Sequence, residues 1–207
     1  MARLDGTVEQ ALGRIAGEWY GVVKRAQLLR AGVSDDEIRQ RLRTGALTAS
    51  IRASIGWSIA RRASRACYLA AVWACGERAL LSGRAAAYLL GLLKGAPPAP
   101  EVTAPVIRRV HGGITHRSRR MDAADAMVWR RIPVTTGART LVDIAADTPE
   151  DELTRACHEA GVRYATTPRQ VDAVLARRPT APGAAKLRRV MRGDAPAGFE
   201  PAERHCF

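Results

Sequence analysis

Acidic residues are scarce in this 207-residue sequence: 20 Asp and Glu stand against 33 Lys and Arg, a formal net charge of +13. Such a deficit favours a polyanionic partner. It is also uneven, because residues 1–94 hold 15 basic against 7 acidic side chains, residues 95–146 hold 8 against 4, and residues 147–207 hold 10 against 9. A nucleic-acid surface is therefore expected in the N-terminal half. Long apolar runs are missing as well. No stretch reaches the ~18 apolar residues that a membrane-spanning helix needs. Met1 to Gly21 carries Asp5, Glu9 and Glu18 where a secretory leader would have its apolar centre. A cytoplasmic protein is expected. Cysteine is sparse, at four residues. Cys67 and Cys75 share a helical stretch with about 12 Å of rise between them, too far to bond to each other within it. Cys157-His158 and His205-Cys206 are adjacent pairs, and His111 and His116 lack a paired-ligand spacing, so neither a disulfide framework nor a metal or cofactor site is expected.

Catalytic signatures are lacking too. There is no Gly-x-Ser-x-Gly elbow, no glycine-rich phosphate loop and no carboxylate pair flanked by strands. Asp143, in the helical run Leu141-Val142-Asp143-Ile144-Ala145, reads as a local salt bridge or cap. The chain is not expected to be an enzyme. What the sequence does have is 47% hydrophobic residues, enough to bury a core in each of two small domains.

The run from Thr7 to Ile59 has the pattern of a winged helix-turn-helix. Thr7 to Tyr20 carries apolar residues at helical spacing (Val8, Ala11, Leu12, Ile15, Ala16, Trp19), with Trp19 expected as a core anchor against the wing. Leu28 and Leu29 then give a short helix an apolar face, Gly32 can supply the left-handed residue that ends it, and Ser34 can cap the helix that follows. In that second helix Ile38 and Leu42 are four apart and are expected to face inward, which leaves Arg39, Gln40, Arg41, Arg43 and Thr44 around the outward side. This is the layout of a recognition helix. Leu47 to Ile59 alternates apolar residues and is expected to pair as the wing. Between Ile38 and Gly76 there are seven arginines and no acid. Base contacts are assigned to Arg39, Gln40 and Arg43. Phosphate contacts are assigned to Lys24, Arg25 and Arg52, with Ser34 and Arg41 beside them, and Arg61, Arg62 and Arg65 either extend that strip or are ordinary surface charges.

The order of helix, Val23-Lys24-Arg25-Ala26-Gln27-Leu28-Leu29, short turn, Ser-capped helix ending in Thr44-Gly45 and two-stranded wing resembles the N-terminal domain of AbiEi-family antitoxins. Leu69 to Gly76, Leu80 to Leu92 and Ile132 to Ala145 look like successive blocks of that family's second domain, so the resemblance covers most of residues 7–192. It implies a DNA-binding antitoxin that represses its own operon and counteracts a nucleotidyltransferase toxin encoded beside it, with direct contact to that toxin left open; because operators read by helix-turn-helix proteins usually repeat, two or more protomers on an inverted repeat are expected. The chain departs from the family at Asp35, Asp36, Ala49 and Ala53, where relatives carry basic residues after the capping serine and at the wing tip. Asp35 and Asp36 would repel a phosphate at the helix start. Two alternatives follow: a protein-binding antitoxin that does not bind DNA, or the remnant of an endonuclease-like protein lacking its catalytic domain.

Residues 61–192 are expected to form the second domain, of α+β class. Ala60 to Gly76 and Ser82 to Lys94 read as two helices, with Ser82 as a cap, followed by a small sheet from Glu101 to Val106, His111 to Arg117 and Ala126 to Val134. A second basic surface, Arg108, Arg109, Arg117, Arg119 and Arg120, lies in a stretch without an acid from Val102 to Met121. Further helices are expected after Thr136, after Thr148-Pro149, over Gln170 to Arg177 behind Thr167-Pro168, and over Gly183 to Met191, followed by an irregular tail over residues 193–207.

Overall fold

The computed structural model describes residues 8–45, 47, 60–106, 108, 110, 112–119 and 121–193. The expected wing lies outside these residues apart from Leu47, and so does the tail beyond Gly193. Among the described residues the chain is α+β, with nine α-helices and one five-stranded mixed sheet.

Three helices come first: α1 (Val8–Glu18), α2 (Arg25–Arg30) and α3 (Asp35–Thr44). Between α2 and α3 Gly32 adopts φ +85°, and the Val33 N–H donates to the Leu28 carbonyl at 3.0 Å. This is the left-handed stop the sequence implied. Ser34 then caps α3 with a reciprocal box: its hydroxyl accepts from the Glu37 N–H, and the Glu37 carboxylate accepts from the Ser34 N–H at 2.8 Å. Leu28, Val33 and Ile38 are buried together, with Val23 and Leu47 packed against them. Burial of each contributes about 2 kcal/mol, so this small core holds the two helices in place without rigidity to spare. Leu29 and Leu42 do not join it, since they are 45% and 43% exposed. Neighbouring residues on a helix point about 100° apart, so Leu28 excludes Leu29 from the same core, and Leu42 sits in a last turn that overhangs the three buried residues.

The remaining elements are α4 (Ala60–Cys75), β1 (Leu80–Leu81), α5 (Gly83–Leu90), β2 (Glu101–Ala104), β3 (Ile114–Arg117), β4 (Ala126–Trp129), β5 (Ile132–Thr135), α6 (Gly137–Ile144), α7 (Glu150–Tyr164), α8 (Pro168–Ala176) and α9 (Ala184–Arg192). The sheet order is β3-β2-β1-β5-β4. β1 runs antiparallel to β2 and parallel to β5, β2 runs parallel to β3, and β4 and β5 form an antiparallel hairpin. The sheet expected after Glu101 is present, but its central strand, β1, was not anticipated. Two residues are too short for any alternation to register.

One large core joins α4, α5, the sheet and α6 to α9, with Leu69, Leu81, Val102, Val134, Leu141 and Leu153 fully buried. Ala85, Ala86 and Ala87 are also fully buried, which lets α5 and α6 pack closely. Ser82 precedes α5 but makes no cap bond; its hydroxyl accepts from Thr103 at 2.8 Å instead. Glu101 takes over the cap, accepting from the Arg84 N–H at 2.9 Å, and Gly83 beside it has φ +55°, a conformation that favours glycine. Thr136 and Thr167 cap α6 and α8 as expected. No helix among the described residues is long and apolar enough to cross a membrane.

Candidate nucleic-acid interface

Helix α3 presents Arg39, Gln40 and Arg43 to solvent, all exposed and all on the side opposite Ile38. At one residue per 100°, positions 39, 43 and 40 span an arc of about 100° centred roughly opposite Ile38, a face that suits entry into a major groove. Arg41 is half-buried on the flank of the packed side. Thr44, in the last turn, donates its hydroxyl to the Arg41 carbonyl. Gly45 closes the helix in the left-handed region.

Asp35 and Asp36 each engage a neighbouring cation. Asp35 meets Arg25 at 2.6 Å, and that hydrogen bond, with the charge of Arg25, holds its carboxyl below the usual carboxylate range. Asp36 meets Arg39 at 2.9 Å on the outward face itself. Both pairs are open to water, so they add little to stability. Their larger consequence is electrostatic, because each carboxylate offsets a cation assigned to DNA.

Lys24, assigned a phosphate contact, is exposed and borders an aromatic ring. Its ammonium sits 4.6 Å above the centre of the Trp73 ring on α4, and the Trp19 ring packs 5.3 Å from Trp73. Trp19 therefore packs on α4; the wing, its expected partner, lies outside the described residues apart from Leu47. Arg65 lies over the Trp129 ring of β4, 5.4 Å from its centre. Arg52, and the side chains of Arg61 and Arg62, lie outside the described residues. In the cap the Ser34 hydroxyl accepts from the Glu37 N–H and donates to the Glu37 carboxylate.

The second basic run is described at three of its five arginines. Arg108 donates to the Ala74 carbonyl, Arg117 and Arg119 are exposed at and beyond β3, and Arg109 and Arg120 lie outside the described residues, as does His111. His116 pairs with Glu101 at 2.7 Å.

Composition gave no sign of a buried charge network behind this strand edge. Asp125, 3% exposed, bonds Arg139 at 3.4 Å and Arg177 more closely, while Arg139 also bonds Asp143 at 2.7 Å. Asp143 thus makes the local ion pair expected of it, at i−4 on α6. Burial pushes its carboxyl pKa upward against the pull of Arg139, and its Oδ2 has no hydrogen-bond partner. The i,i+4 spacing of Arg139 and Asp143 was legible; the link to Asp125, which comes from the turn before β4, was not.

Three comparisons bear on kinship. No family model, no curated protein and no solved structure matches this chain. Its function is therefore argued from its own residues.

Proposed function

We propose that the chain is a DNA-binding antitoxin that represses its own operon and counteracts a nucleotidyltransferase toxin encoded beside it. The reading takes α2, the Gly32 turn and α3 as a helix-turn-helix, residues 47–59 as its wing, and α3 as the helix that reads the major groove. The observation that carries it is the exposed Arg39, Gln40 and Arg43 face on a helix fixed by a capping box at one end and a left-handed glycine at the other. Arginine bonds guanine and glutamine bonds adenine in that groove, so the three side chains supply a sequence code rather than charge alone.

The autorepressor reading is tested by substituting Arg39→Ala and Arg43→Ala together and footprinting the operon's upstream DNA. Loss of protection over two half-sites, with an unchanged melting temperature, is expected; protection that survives would move the DNA site off α3. The protein-binding alternative has an observation of its own, since Asp35, Asp36 and Trp73 engage Arg25, Arg39 and Lys24. Under that alternative the wild-type chain relieves the toxin and gives no footprint.

A further inference from the structure

We propose that the cavity between α4, α5, α7 and the β4–β5 hairpin binds a nucleotide whose base is unpaired. The cavity has a volume of about 840 Å³, within the range of small-molecule sites. Its wall is aromatic: Tyr88, Tyr164 and Trp129 are half-buried, with the fully buried Tyr68 behind them. Tyr164 donates to the Leu90 carbonyl at 2.8 Å, which holds its ring as a fixed surface, and the buried Tyr68 donates to the Pro98 carbonyl at 2.9 Å beneath it. Around this wall stand Arg65, Lys94, Arg130 and Arg163. Among the described residues no carboxylate lines the cavity. Glu159 bonds Arg163 from one turn earlier on α7 and lies outside the lining.

Half-buried aromatic rings beside cations, two of which lie over Trp129, suit a ligand that joins a flat ring to a phosphate. A bare anion would use the cations and leave the rings idle, and an apolar molecule would do the reverse. Bases inside a duplex keep their faces stacked, which restricts the ligand to a free nucleotide or an unpaired nucleotide of a strand.

The hairpin that closes one side supports the same assignment. Arg130 and Arg131, between the paired Trp129 and Ile132, both have positive φ, +44° and +69°, where glycine or asparagine is the relaxed choice. Such strain persists only where surrounding contacts enforce it, and it gathers at functional sites. Here Tyr20 donates its hydroxyl to the Arg130 carbonyl at 2.7 Å and Arg131 lies 5.0 Å from the Trp19 ring. The result aims Arg130 at Trp129, 4.9 Å from its ring centre. Opposite, the Arg163 guanidinium lies 3.3 Å from where a Cβ would stand on Gly91, so the absence of a side chain there keeps the rim open.

The test is isothermal titration of the full chain with adenosine monophosphate, adenosine, inorganic phosphate, a short single-stranded oligonucleotide and its abasic analogue. Adenosine monophosphate should bind about tenfold or more tightly than adenosine or phosphate, because stacking and charge act together. Arg130→Gly, which relaxes the left-handed backbone, and Tyr88→Leu, which keeps apolar bulk, should each weaken it by about tenfold while the circular dichroism melt stays cooperative. Comparable affinity for mononucleotide and oligonucleotide assigns the site to a free nucleotide, and a clear preference for the oligonucleotide over both its abasic analogue and the mononucleotide assigns it to an unpaired strand. Phosphate or the abasic strand binding as well as the intact ligand, binding undiminished in both variants, or no binding at all would each overturn the proposal.

Discussion

Asp36→Asn should strengthen DNA binding. Asp36 lies in the first turn of α3, on the same face as Arg39 and Arg43, and its Oδ1 accepts from Arg39 Nη1 at 2.9 Å. Its side chain is 90% exposed and that of Arg39 65%, so the pair contributes about 0–1 kcal/mol to folding, and the loss of an acid near the helix start about 0.3–1 kcal/mol more. The fold withstands both. At a DNA surface the balance differs: a carboxylate ~6 Å from a phosphate repels it by ~0.7 kcal/mol in water and ~3 kcal/mol at an effective dielectric of ~20. A middle value of ~1.4 kcal/mol corresponds to a tenfold gain in affinity, and one further phosphate neutralised by the freed Arg39 steepens the salt dependence by ~0.9 in slope. Fluorescence anisotropy across a salt series measures both quantities. The matched control is Asp151→Asn, which makes the same charge change at an exposed pair on α7 and should alter affinity by less than about twofold. Equal gains in the two variants, or none in Asp36→Asn, would refute the placement of the DNA on this face of α3.

Other expectations follow from packing and titration. Gly183→Ala should destabilise the chain by about 3 kcal/mol or more in a denaturant melt, because at φ +77° its Cβ would come within 2.6–2.8 Å of the Ala145–Ala146 backbone, which cannot swing aside as a side chain can. Asp35 has a lowered folded pKa against its usual 3.8, so its pairing with Arg25 stabilises fully above that value and the contribution disappears as pH falls through the folded value; Asp35→Asn should flatten this acid-side loss in melting temperature. Asp143 has the opposite sign: its raised folded pKa gives a contribution that is present below 3.8 and is lost as pH rises through the folded value, and Asp143→Asn should remove that decline. Cys157, pushed up to about 12 by burial, should react with iodoacetamide at pH 8 on the order of 1,000-fold more slowly than a free thiol, as read by mass spectrometry of its peptide.

Local chemistry in the chain was legible where a residue acts on its immediate neighbours. Gly32, Ser34, Thr136 and Thr167 stop or cap helices with side-chain and backbone groups no more than five residues away, and the Arg139–Asp143 pair needs only helical spacing. What pattern could not carry depends on distant partners. Ser82 has the capping identity, yet Thr103 claims its hydroxyl and Glu101 replaces it. Nothing local to Lys24 signals that the Trp73 ring, 49 positions later, lies beside its ammonium. Asp125 is an ordinary turn residue in sequence and becomes the buried centre of a network only when α6 and the end of α8 converge on it. The sheet was expected from its longer strands, but β1, the strand through which its two halves join, has too few residues to signal itself.

The measurement closest to the central claim is anisotropy of the full chain against its own upstream DNA and a scrambled duplex, at rising salt. The autorepressor account predicts preference for the upstream sequence by a factor of about 1,000 or more, lost with Arg39→Ala and Arg43→Ala. Equal affinity for both duplexes, with a shared salt slope, would contradict it and leave only a basic surface.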